Sequence, residues 1–119
     1  MDNRLQVQVE RPRDGAAVVV FRGEHDLSTS KPIEDLLGSL IEDNELLVVD
    51  FSEAEFVDSS MIHALVKSHR TASQRGSIFR LQLGTAPIVE RAFHFSGMLE
   101  LLDCVPTREE ALRNRSADT

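Results

Sequence analysis

The sequence predicts an α/β layer fold: one domain with a mixed, mainly parallel sheet of four or five strands, an N-terminal β-hairpin and about four helices. Three observations carry that prediction. The first stretch alternates apolar and polar residues and then turns into a second apolar run, as a hairpin does. A later run, LLVVDF (46–51), is continuously apolar, the pattern of a strand covered on both faces and most common in parallel sheets. Beyond it, strand-like and helix-like segments alternate singly, which implies right-handed βαβ crossovers.

Each element has its own local reason. LQVQVE (5–10) alternates, RPRDGA (11–16) supplies Pro and Asp-Gly turn chemistry, and AAVVVFRG (16–23) is the returning strand. KPIEDLLGSLIEDN (31–44) places Ile33, Leu36, Leu37, Leu40 and Ile41 on one helical face, with Ser and Thr just upstream and Pro32 expected in the first turn. From Ser59 to Gln74 the positions Ile62, Leu65, Val66 and Ala72 form a second apolar stripe, and Gly76 is the expected stop. SIFRLQLG (77–84) aligns Phe79, Leu81 and Leu83 on one strand face. APIVERAFHFSG (86–97) opens on a Pro and closes on a Gly, as a helix would. A short strand at 101–105 and a charged helix at 107–113 follow, so the domain spans 1–113 and the polar segment 114–119 is a tail expected to fray.

Composition narrows the function. The chain has 119 residues, enough for one core and no second domain. Thirteen Lys and Arg stand against twenty Asp and Glu, a formal charge of −7, which is the wrong sign for nucleic acid or an anionic membrane surface. The apolar runs are too short to enter a bilayer as a spanning helix. The single cysteine, Cys104, has no intrachain partner and reads as a small buried hydrophobe. With no leader-like start, the chain reads as cytoplasmic.

In open α/β sheets, function gathers where strands end and helices begin. Two segments qualify, GEHDLSTS (23–30) and SEAEFVDSS (52–60). The second offers an acid and two hydroxyls ahead of an amphipathic helix. One reading is a plain N-cap, with a side-chain oxygen accepting from free N–H groups of the first turn. The other uses the same N–H groups and partial positive charge to house a phosphoryl group on Ser59 or Ser60. A hydrolase would have to combine His25 and Asp26 with Ser59 or Ser60, but no GxSxG elbow, GxGxxG or Gly-rich phosphate loop is present, so an enzyme is not expected. His63 and His69 are six apart on one helix, roughly 120° around its axis, unlike the i,i+4 spacing of a metal pair. His69 is expected to face the core, and His94 is read the same way.

At these residues the chain resembles the STAS domain family, in particular bacterial anti-sigma factor antagonists. FRGEHDLSTS (21–30), VVDFSEAEFVDSS (48–60) and APIVERAFHFSGMLELL (86–102) carry the resemblance. It implies that the unphosphorylated domain binds an anti-sigma factor, often itself a serine kinase, and so releases a sigma factor. Phosphorylation of Ser59, the serine directly after Asp58, would end that binding, and a PP2C-like phosphatase would restore it. The implied surface comprises Glu24, Asp26, Asp58, Ser59, Ser60 and Met61. Ser60 would cap the helix or position Ser59, Asp58 would hold the loop, and Asp26 would line the docking face. The family usually carries Gly after the two serines, where this chain has Met61. No metal, nucleotide or other cofactor is implied for the domain itself. The alternative within the family is a phosphorylation-independent scaffold or a transporter-accessory module.

Overall fold

The computed structural model describes residues 7–25, 27–57, 59–83 and 102–113. Its elements are β1 (Val7–Arg13), β2 (Ala16–His25), α1 (Leu27–Asp43), β3 (Leu46–Val57), α2 (Ser59–Arg75), β4 (Ile78–Gln82), β5 (Asp103–Val105) and α3 (Arg108–Ala111). The five strands lie in sequence order; β1 and β2 are antiparallel, and every later pair is parallel. This is the mixed sheet with an N-terminal hairpin that the sequence predicts. Three helices fall among the described residues, against about four expected, and the helix expected at 86–97, with His94, lies outside them.

The hairpin turns at Asp14 and Gly15. Gly15 has φ +79°, a left-handed conformation that Gly adopts without the steric cost a Cβ brings. Its carbonyl accepts from the N–H groups of Glu45 and Leu46 at 2.8 and 3.0 Å, which ties the turn to the start of β3.

The apolar runs split by parity, because successive strand side chains point to opposite faces. Ala17, Val19 and Phe21 of β2, with Leu47, Val49 and Phe51 of β3, join the large core under α1 and α2. Phe21 and Phe51 meet there with ring centroids 4.7 Å apart. Ala16, Val18, Val20, Leu46 and Val48 form a second, smaller core with Val105 and with Ala111 of α3. Both faces are covered, which is why these strands read as continuous rather than alternating.

Three boundaries differ from expectation. α1 begins at Leu27, so Pro32 lies inside it rather than in its first turn. The ring cannot donate to the carbonyl of Ser28, four residues back. Pro32 is exposed, and the helix is held instead by the buried Ile33, Leu37, Leu40 and Ile41. β3 continues to Val57 and β2 to His25, so much of the two segments expected as loops is strand. They pair as Arg22↔Glu53, Gly23↔Ala54, Glu24↔Phe56 and His25↔Val57. The register slips twice on the way, each time by one extra residue on β3, as a bulge does.

α2 ends as predicted. Gly76, at φ +76°, donates to the Ser73 carbonyl at 3.2 Å, and Ser77 donates to that of Ala72 at 2.9 Å. That pair of bonds is a Schellman motif. α3 is capped by Thr107, whose hydroxyl accepts from the Glu110 N–H at 3.2 Å.

Candidate functional site

Parallel strands with helical returns bring the C-terminal ends of β2 and β3 and the N-terminal ends of α1 and α2 to one end of the sheet. The last paired residues are His25 and Val57, and α2 begins two residues beyond Val57 at Ser59. Ser59 is exposed, Ser60 is half-buried, and Met61 and Ile62 are buried. Within one turn the chain passes from surface to core, which fixes the direction in which each side chain points.

The inward stripe of α2 is Met61, Leu65, Ser68 and Ala72, spaced i, i+4, i+7 and i+11. Met61 has 0% of its surface exposed and belongs to the large core. Its expected place on the partner-facing surface is therefore corrected: it packs beneath the site. At 100° per residue Met61 falls between Ser68 and Ala72, in the middle of the buried arc of α2, so helix geometry itself turns it inward. The outward stripe begins with Ser59 and continues through His63 and Lys67. Asp26 and Asp58 lie outside the described residues, and Glu24 is placed by its backbone alone, opposite Phe56.

The electrostatics around this end are mixed. Lys31 of α1 bonds Asp35 one turn on, at 3.0 Å, and that hydrogen bond and charge, with Glu34 nearby, hold its pKa above the ordinary value. Lys67 of α2 reaches across to Glu34 of α1 at 2.6 Å. His69 lies half-buried with its ring edge-on to Phe79, centroids 6.1 Å apart, as expected of a packing residue. A cleft lined by Arg13, Asp14, Glu45, Arg75 and Ser77 opens at the opposite end of the sheet, remote from Ser59.

One polar cluster was not anticipated from the sequence. Arg108 of α3 donates to Asp50 at 3.1 Å, Glu10 at 2.8 Å and Gln82 at 3.2 Å, joining β1, β3 and β4 beneath the second face. Burial works against its charge, but the bonds to Glu10 and Asp50 outweigh burial and keep its pKa above the ordinary value. The other oxygen of Asp50 accepts from the Ser52 N–H at 2.8 Å, at the first bulge of β3. The signal was an acid inside the apolar run LLVVDF, since a buried carboxylate needs partners. Beside this cluster Arg80, fully buried, donates to Asp103 at 3.0 Å and to the carbonyls of Ala111 and Arg113. The two arginines fasten α3 to the sheet, so the cluster reads as architecture rather than as a second site.

The family model of the STAS domain matches residues 7–111. The chain belongs to the STAS domain family. Among curated relatives, this STAS domain is 28% identical over 100 residues to the anti-sigma-F factor antagonist RsfB of Mycobacterium tuberculosis, covering 83% of this chain and 80% of that protein. Among solved structures it is similar to an anti-sigma factor antagonist from Mycobacterium paratuberculosis, with TM-score 0.79, 28% identity and 89% of each chain covered. It also has the fold of the anti-sigma factor antagonist SpoIIAA. The unphosphorylated form of that protein superposes with TM-score 0.76 at 23% identity, over 95% of this chain and 97% of the other. The phosphorylated Bacillus form gives TM-score 0.68 at 22% identity, over 89% and 96%. Among the described residues no helix is long and apolar enough to cross a membrane.

Proposed function

We propose that this STAS domain is an anti-sigma factor antagonist: it binds an anti-sigma factor in the cytoplasm, and phosphorylation of Ser59 ends the binding. The observation that carries the reading is the position of Ser59, exposed as the first residue of α2 at the sheet end where two strands and two helices meet. Similarity to proteins named as anti-sigma factor antagonists supports the choice of partner. A hydroxyl there is open to a kinase, and the partial positive charge of the helix start favours a phosphate without unfolding the domain. The partner would be a serine kinase or would act beside one, with a PP2C-like phosphatase to reset the switch. Asp26 and Asp58 would flank the phosphoacceptor, with Glu24 and Ser60 completing the surface.

Phosphorylation adds about 1.5 to 2 negative charges at neutral pH. Docking must desolvate them, and an unpaired or like-charged contact in an interface costs roughly 2 to 5 kcal/mol. Affinity then falls by about one and a half to three and a half decades. The test is co-purification of the tagged protein with its anti-sigma partner from native cells, comparing Ser59→Ala with Ser59→Asp. The alanine variant is expected to keep the partner constitutively and the aspartate variant to lose it. Equal recovery with both would favour the phosphorylation-independent scaffold.

A further inference from the structure

The first bulge of β3 decides which residues reach the core. Leu47, Val49 and Phe51 enter the large core at every second position, so an unbroken strand would send Glu53 there next. Instead, Phe51 and Ser52 lie between the pairs Val20↔Asp50 and Arg22↔Glu53, where β2 has only Phe21. Glu53 is thereby exposed and paired with Arg22 at 3.2 Å, and Ala54, 6% exposed, joins the core in its place. The extra residue of a bulge is left out of the ladder. Here the Ser52 N–H donates to one oxygen of Asp50 at 2.8 Å. Asp50 is itself 3% exposed, and its other oxygen accepts from Arg108 at 3.1 Å, so the carboxylate is held on both sides.

We infer that Asp50 is a positioning residue for Ser59: its carboxylate locks the bulge that sets the register of residues 53–57 and, through them, the start of α2. The inference rests on the reading of Ser59 as the switch and adds a residue that places it. Asp50 acts through the strand. Arg108 fixes the orientation of the carboxylate, and the carboxylate fixes the backbone of Ser52, where the extra residue is accommodated.

The connection from strand to helix transmits any slip. One residue separates Val57, the last paired position of β3, from Ser59, the first of α2. Met61 and Ile62 are seated in the core immediately beyond. A slip of one register step moves a strand end by about 3.3 Å, and a single connecting residue spans at most about 3.6 Å even when extended. The link therefore cannot absorb the slip, and the displacement falls on Ser59. It falls equally on the pairing of Glu24 with Phe56, at the edge of the same surface.

The test is a double-variant cycle on the uniformly 15N-labelled full chain, combining Asp50→Ala with deletion of Ser52. Deletion removes the extra residue yet keeps Glu53 opposite Arg22 and Ala54 on the core side, so that chain has no bulge to lock. Asp50→Ala alone is expected to move the amides of residues 52–57 and of Ser59 and Ser60, and to abolish the inter-strand NOE between Arg22 and Glu53. In the chain lacking Ser52 the same substitution should leave these signals in place. A role confined to anchoring α3 through Arg108 would give equal changes in both backgrounds and would overturn the inference, as would unmoved amides under Asp50→Ala. If Asp50→Ala alone does not fold, deletion of Ser52 should restore folding, and a failure to restore it would also overturn the inference. Recovery of the anti-sigma partner from native cells should fall at least threefold with Asp50→Ala and return when Ser52 is also deleted. Unchanged recovery would overturn the link to Ser59. The NMR cycle involves no partner, so it fails or succeeds apart from the switch itself, which the comparison of Ser59→Ala with Ser59→Asp decides.

Discussion

Ser59 and Met61 lie two positions apart in one helical turn, and that spacing separates chemistry from packing. Ser59 faces solvent and Met61 faces the core, so a larger side chain where the family usually has Gly fills the interior without covering the serine. The resemblance implied a surface role for Met61, and the packed core shows instead that it lies inside. Cys104 is the other residue whose environment has a measurable result. Burial, reinforced by the Asp103 charge, pushes its thiol from the ordinary 9.0 up to about 11. The unfolded chain therefore releases this proton before the folded one, so the contribution to stability is complete below pH 9 and is lost as pH rises towards 11. Between pH 8 and pH 10.5 the wild type should lose about 1 to 2 kcal/mol more than Cys104→Ala, as read from urea midpoints. Equal losses would mean that the thiol is not held in its neutral form.

Among the elements, α2 was legible almost to the residue, because its signals are local: a hydroxyl start, a 3.6-residue stripe and a terminal glycine. Gly76 allows a direct check. Its φ is +76°, and nothing lies within 4 Å of where a Cβ would stand, so the cost of Gly76→Ala is backbone strain without a clash. Left-handed backbone costs an alanine roughly 1 to 2 kcal/mol, and the urea midpoint should fall by that equivalent with an unchanged slope. A neutral substitution would show that the Schellman bonds do not constrain the helix end. β3 was legible only to Phe51, because its two bulges break the alternation from which a strand is read. Ser52 and Glu53 are both exposed and Ala54 is buried again, and an out-out-in sequence reads as loop until a partner strand supplies the register. α1 was misjudged at its start for a similar reason. A proline marks a first turn only on propensity, and the four buried residues that follow outweigh it.

For the whole molecule, the sequential strand order and the returns through α1 and α2 gather the ends of β2 and β3 and the starts of α1 and α2 at one end of a sheet that is packed on both faces. In the proposed switch a phosphate added there changes the surface charge and requires no change of fold. The layer architecture and the position of Ser59 could both be read from the chain, because they follow from periodicity and from the strand-to-helix transition. The clasp of Arg80 and Arg108 could not, since its partners Glu10, Asp50, Gln82 and Asp103 are brought together only by the sheet. The most direct test of the central claim is intact mass with phosphopeptide mapping of the protein recovered from its native cells, resting and stressed. The account predicts one phosphate, on Ser59, in one of the two states and its removal in the other. No phosphate in either state, with an anti-sigma partner still bound, would contradict it.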